Sequence, residues 1–202
     1  MSTDSTTAYE SHAQEFLRVR DKSTIGVEIT KRWARSLDPA TDVLEIACGG
    51  GLPVTRTLID EGLNVWAVDS SPTLVEAFQA RFPSTPVQCD RVQESEFFGR
   101  KFGAVVAIGL VFLLKEDDQV ELLRRVSDIL VPDGRFLFTA PVKIGTWADI
   151  TTGYECRSLG RERYVATLEE SGFRLIDRYA DEGRNNYYDA QWIAGPAYRK
   201  QP

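Results

Sequence analysis

The sequence is poor in the residues that staple or metallate small folds. It has three cysteines, Cys48, Cys89 and Cys156, far apart and without a Cys-x-x-Cys pair. That pattern suggests neither a zinc site nor a disulfide framework. Long hydrophobic runs are also missing. The longest, Ala104 to Leu114, is interrupted by Gly109 and bounded by Lys101 and Lys115, well short of the ~20 residues that span a bilayer. The polar start, Met1-Ser2-Thr3-Asp4-Ser5, has no signal-peptide core. Positive charge is in deficit: 24 Lys and Arg stand against 30 Asp and Glu, a net charge of −6. A dedicated phosphate-binding surface would favour the opposite balance. These absences predict a soluble, reduced, cytoplasmic protein with neither nucleic acid nor membrane as partner. They leave monomer or homodimer open.

What is present is ordinary globular material, 43% hydrophobic and 27% charged over 202 residues, enough for one α/β domain with a sizeable core. Residues 1–7 are Ser/Thr-rich and read as frayed. Tyr9, Ala13, Phe16 and Leu17 mark one amphipathic helix, and Ile25, Ile29, Trp33 and Leu37 a second, ended by Asp38-Pro39. Short apolar runs then alternate with helical stretches. The runs are 43–47, 65–69, 87–89, 104–108 and 136–139; the helices are 53–61, 72–82 and 117–130. That alternation predicts a parallel sheet covered on both faces. Residues 142–159 read as irregular, followed by a helix over 161–171. Two final strands, near 173–179 and 187–193, have a link too short for a parallel crossover and are predicted antiparallel. Cys48 and Cys89 are expected to pack as small hydrophobes, and Trp33 and Trp66 to be structural.

The informative segment runs from Val43 to Pro53: an apolar strand, the turn Cys48-Gly49-Gly50-Gly51, then a helix. Glycine permits positive φ and close approach of a ligand to the backbone. The helix start presents unpaired N–H groups, so this is a nucleotide-type site at the carboxyl edge of a sheet. A dinucleotide fingerprint needs a third glycine where Val54 stands, which disfavours a nucleotide-dependent oxidoreductase. Glu45 lies just before the turn, equally readable as site or structure. Asp69 ends the next strand, where a carboxylate can accept both ribose hydroxyls.

The ordered set Glu45-x-Ala47-Cys48-Gly49-x-Gly51, then Val68-Asp69-Ser70-Ser71-Pro72, then Gln88-Cys89-Asp90-Arg91-Val92, resembles the class I S-adenosylmethionine-dependent methyltransferases. Val131-Pro132-Asp133-Gly134-Arg135 is similar to that family's turn into its fifth strand. The likeness runs from about Thr41 to Pro141. It implies a doubly wound, mainly parallel seven-stranded Rossmann-like sheet with an antiparallel C-terminal strand pair. It also implies N-terminal lid helices over 1–37, a cofactor core over 41–141 and a substrate-side segment over 142–202. Two departures stand out: Ala47 replaces the usual first glycine, and Phe102-Gly103 replaces Phe-Asp.

The resemblance implies S-adenosylmethionine as cofactor. Gly49 and Gly51, with Ala47 and Cys48, would take its methionine part, and Asp69 with Ser70 its ribose. Asp90, Arg91 and Val92 would meet adenine, Ile108 and Gly109 would line the methyl-transfer site, and Tyr9 would close over the cofactor. Methyl transfer is an in-line displacement that requires alignment more than a fixed catalytic group; His12 and Asp149 are the weak candidates for a base. The stretch after the fourth strand lacks the Asn/Asp-Pro-Pro-Tyr of nucleic-acid amino-methylating enzymes and the acidic ligand of metal-dependent types. A small-molecule acceptor and no metal are therefore expected. Phe16, Leu110, Phe112, Trp147 and Tyr154 are the candidate substrate contacts, with Arg20 and the tail Arg184–Asp189 nearby in pattern. A non-catalytic, cofactor-binding scaffold of the same fold is the alternative.

Overall fold

The computed structural model describes residues 4–193. Its centre is β1 (Asp42–Ile46), followed by β2 (Asn64–Asp69), β3 (Val87–Cys89), β4 (Phe102–Ala107) and β5 (Leu130–Thr139). β1 pairs in parallel with β2 on one side (Val43 opposite Val65) and with β4 on the other (Val43 opposite Ala104). Two late strands, β8 (Phe173–Ala180) and β9 (Asn186–Trp192), complete the sheet. Its order is β3-β2-β1-β4-β5-β9-β8, with β9 antiparallel to both neighbours. The predicted seven-stranded, mainly parallel sheet with an antiparallel C-terminal pair is observed.

Neighbouring residues along each central strand enter opposite cores. Leu44, Ile46, Val105, Phe136 and Phe138 face one cluster with Leu123 and Val126 of α6 (Glu116–Ile129) and Tyr164 and Leu168 of α7 (Arg161–Glu170). Val43, Val65, Ala104, Val106 and Leu137 face another, with Trp33 of α3 (Val27–Ala34) and Val54 and Leu58 of α4 (Val54–Asp60). Each fully buried Leu or Phe contributes roughly 1.5–3 kcal/mol, so both faces are firmly covered. Among the buried carboxylates, Asp189 is the least accessible. The fully buried Asp189 accepts from Trp33 Nε1 (3.1 Å), Tyr179 OH (3.2 Å) and, in a bidentate pair, Arg135 Nε (3.1 Å) and Nη2 (2.5 Å). A buried carboxylate is tolerable only when satisfied in this way.

Several details depart from the sequence reading. Of residues 1–7, read as frayed, 1–3 lie outside the described residues; the rest are ordered, because α1 (Ser5–Ser11) starts at Asp4, whose carboxylate caps the Thr7 N–H at 2.9 Å. The first amphipathic pattern is two helices, α1 and α2 (Ala13–Arg20), divided at His12. Residues 142–159 contain a hairpin, β6 (Gly145–Ala148) and β7 (Glu155–Ser158). β6 is exposed throughout, so it shows no apolar alternation. β5 begins six residues before the predicted 136, since Leu130 already pairs with Phe102. Cys89 is exposed at the end of the short edge strand β3, while Cys48 and Cys156 are buried.

Candidate functional site

After β1 the chain builds β2 and β3 to one side; β4 and β5 lie on the other. Side-by-side strands with opposite onward paths leave a crevice at their carboxyl ends, where such sheets bind ligands. The turn after β1 enters it with positive φ at Ala47 (60°), Gly49 (56°) and Gly51 (83°). The glycines do different work. Gly49 lines the crevice. At Gly51 a Cβ would stand 2.3 Å from the Phe82 ring, so that glycine serves close packing against α5 (Pro72–Arg81) and its end.

Asp69, at the end of β2, ties the turn down. Its carboxylate accepts from the Gly49 N–H at 2.8 Å and the Ser71 N–H at 2.9 Å. Burial raises its pKa, opposed by those N–H donors. A carboxylate offers about four lone-pair sites, so acceptor capacity remains toward the cavity that Asp69 also lines.

The N-terminal helices α1 and α2 lie against this turn and the start of α5. A Cβ at Gly49 would meet the Phe16 ring at 3.0 Å, and one at Gly50 would meet Leu17 at 2.4 Å. Arg81 fastens the layer: it donates to Gly50 O at 2.9 Å and pairs with Asp21, just past α2, at 2.5 Å. Glu10 of α1 accepts from Ser71 and Thr73 hydroxyls at the start of α5, where a helix dipole favours an anion. The Tyr9 hydroxyl donates to Asp149 Oδ2 at 3.3 Å, and burial first, then Asp149, raises the phenol's pKa.

Together these elements line a cavity of about 240 Å³. Of the sequence-predicted residues, Tyr9, Phe16, Ala47, Gly49, Asp69, Ser70, Ile108, Gly109, Leu110, Phe112 and Asp149 line it. A narrow slot of about 30 Å³ adjoins it, sharing Ala47, Asp69, Ser70 and Leu110, and is bordered by Asp90 and Val92. Within the cavity, Phe16 stands over the glycine turn. Gly109 donates its N–H to the Thr139 hydroxyl at 2.7 Å.

Other predicted residues are placed elsewhere. Glu45 is buried and faces α4, where its carboxyl accepts from the Thr55 hydroxyl at 2.5 Å; burial pushes its pKa up to about 8. Cys48 packs with Phe78 and Phe82. Arg91 lines neither cavity nor slot, because its guanidinium pairs with Asp4 at the start of α1. Trp147 faces Phe112, ring centroids 5.5 Å apart, from outside the cavity. Tyr154 and His12 share a separate outer groove, and His12 is tied to Ala8 O at 2.9 Å, so His12 is not placed to take a proton in the cavity.

The structure adds Ser5, Thr6, Leu74, Leu113 and Thr139 to the lining, and brings Arg20, Asn185 and Tyr187 to it. Thr139 was findable, since it ends a strand beside the crevice. Ser5 and Thr6 were not, because only the docking of α1 on α5 brings them there. Among the described residues, no three His, Cys, Asp or Glu side chains converge to hold a metal ion.

Residues 43–134 match the family model described as a methyltransferase domain. The chain is 30% identical over 146 residues to the human tRNA N(3)-cytidine methyltransferase METTL2B, covering 63% of this chain and 39% of that one. It is 26% identical over 159 residues to the ubiquinone biosynthesis O-methyltransferase of Xanthomonas campestris, covering 77% and 59%. It thus spans roughly two to three fifths of the length of these curated relatives. Among solved structures, the 1,6-didemethyltoxoflavin-N1-methyltransferase of Burkholderia thailandensis, with bound 1,6-didemethyltoxoflavin and S-adenosylhomocysteine, superposes with a TM-score of 0.75. The identity is 17%, with 94% of this chain and 87% of that one covered, a likeness of fold. The ordered motifs, the strand order and the matched segment agree on a methyltransferase-type fold, with a match to a methyltransferase domain over residues 43–134.

Proposed function

We propose that the protein transfers a methyl group from S-adenosylmethionine to an O, N or S atom of a small-molecule acceptor by in-line displacement, without a metal ion. The observation that carries this reading is one partly open cavity joining the Gly49 backbone and the Asp69 carboxylate to an apolar wall at the end of β4. The lining fits the cofactor. Asp69 and Ser70 would hold the ribose hydroxyls, and the slot beside Val92 and Asp90 would take adenine. Gly49 leaves its backbone bare for the methionine part. The carboxylates of Asp69 and Asp149 and the rings of Tyr9 and Phe16 suit a sulfonium cation.

When bound, S-adenosylmethionine supplies an already activated methyl group. The chain's own residues then align and enclose. Ile108 and Gly109 set the floor of the site. Leu110, Phe112 and Leu113 wall off an apolar acceptor and exclude water. Thr139 and Asp149 are the polar groups on that side, and Asp149 Oδ2, facing only the 3.3 Å Tyr9 contact, is the group placed to accept a proton or hydrogen bond from the acceptor atom. A small acceptor is favoured by the small volume of the cavity, about 240 Å³, by the net charge of −6, and by the Burkholderia neighbour's small-molecule complex.

Calorimetry with S-adenosylmethionine, S-adenosylhomocysteine and NADH tests the cofactor: binding of the first two only is expected, with Asp69→Ala weakening both at least tenfold. Equal affinity in Asp69→Ala would refute the ribose assignment. A labelled-methyl assay across a metabolite panel separates enzyme from scaffold.

A further inference from the structure

A second hollow, of about 300 Å³, lies beside the central cavity, with Tyr187 bordering both. It forms where the end of β8, the start of β9 and the start of α7 meet, and none of its lining residues is acidic. Tyr188 lines it and is only 1% exposed, yet its hydroxyl forms no hydrogen bond of normal geometry. The ring stacks on Phe138, centroids 4.9 Å apart, and meets Tyr164 edge-on at 5.9 Å, so packing fixes where the oxygen points. A phenylalanine would fill the same space without stranding a hydroxyl, and buried polar groups are normally paired.

Two guanidinium groups of the same hollow stand near that oxygen. Arg178 lies directly across the β8–β9 ladder from Tyr188, on the same sheet face. Arg161 opens α7, where its N–H donates to Val142 O at 3.1 Å. Both arginines act on the Tyr188 phenol, opposing the rise that burial gives its pKa. Neither has a partner that would account for it. A cation at a helix start opposes the dipole, and the N-cap Gly160 supplies no side-chain cap. Among the described residues neither Arg161 nor Arg178 forms an ion pair, whereas Arg81, Arg91, Arg100 and Arg135 each hold a carboxylate. The acid next to Arg178, Asp177, pairs with Arg32 instead.

The hollow therefore gathers charged and neutral donors without an acidic group to receive them. Two guanidinium forks and a phenol suit an oxyanion whose several oxygens are spread about one centre. We propose that this hollow is a receptor for a phosphate group, with Arg161, Arg178 and Tyr188 as its donors and the uncapped start of α7 behind them. Both arginines are exposed, so the group enters from solvent. The site does not depend on the methyl-donor reading of the central cavity. The phosphate has two sources, the free ion or a phosphomonoester.

Calorimetry on the full chain at constant ionic strength, with inorganic phosphate and phenyl phosphate as probes, tests this. Wild type should bind, and Arg161→Met and Arg178→Met should each weaken binding by roughly tenfold or more. Tyr188→Phe should weaken it by about threefold or more, while its urea midpoint stays at or above that of wild type, because the hydroxyl does nothing for the fold. A lowered midpoint with unchanged phosphate affinity would make the hydroxyl structural and overturn the proposal. Phenyl phosphate bound at least as tightly as inorganic phosphate assigns a phosphomonoester; inorganic phosphate bound and phenyl phosphate refused assigns the free ion. No binding of either by wild type, or equal binding by wild type and both arginine variants, overturns the proposal. S-adenosylhomocysteine affinity should be the same in all four proteins, which shows that the variants are folded; its loss even in wild type would overturn the methyl-donor reading and leave the phosphate result standing.

Discussion

Glu45 provides a quantitative test of how the site's underside is built. Its carboxyl is wholly buried between β1 and α4 and held at a pKa of about 8, chiefly by burial. In the unfolded chain it titrates as an ordinary glutamate near 4.5. Between those values the folded state keeps a proton that the unfolded state has lost, so stability falls as pH rises through the window. The slope is about 1.4 kcal/mol per pH unit, which amounts to about 3 kcal/mol by pH 7. Glu45→Gln mimics the protonated acid and can still accept from Thr55. Urea unfolding of both proteins from pH 5 to 8 isolates this group from the other titrations. The variant is expected to match wild type near pH 5 and to exceed it progressively toward pH 8. A difference that does not change with pH would refute the reasoning, and would mean that Glu45 is charged in the fold at neutral pH.

Gly51→Ala is expected to cost about 1–3 kcal/mol, since the new Cβ would meet Phe82 at 2.3 Å at a φ of 83°; urea unfolding that matched wild type would contradict that packing role. Trp33→Phe removes one of the four donors on buried Asp189 and should cost about 1–3 kcal/mol by the same assay. Asp149→Asn should lower turnover in the labelled-methyl assay while leaving S-adenosylhomocysteine affinity within about threefold, because the proposed function gives Asp149 to the acceptor; a loss confined to cofactor binding would reassign it.

The sequence by itself determined the sheet and its crevice. Alternating apolar runs and helices fix which segments become central strands, because a strand covered on both faces must be apolar along its length. Gly49 and Asp69 were legible for a related reason: a bare turn and a strand-end carboxylate are local features whose position follows from the strand that carries them. Tertiary structure decided what local pattern cannot encode. Glu45 and Cys48 stand within four residues of Gly49, yet their side chains leave for α4 and α5, because Thr55 and the Phe78–Phe82 pair, distant in the chain, pack there. His12 and Tyr9 share a helical stretch, but the break at His12 sends one to an outer groove and the other into the cavity. Arg91 looked like a ligand contact until the N-terminus folded back and Asp4 took it. Arg20 acquired its place only when α2 settled on the glycine turn, because long-range packing, and no property of its neighbours in the chain, brings it to the cavity.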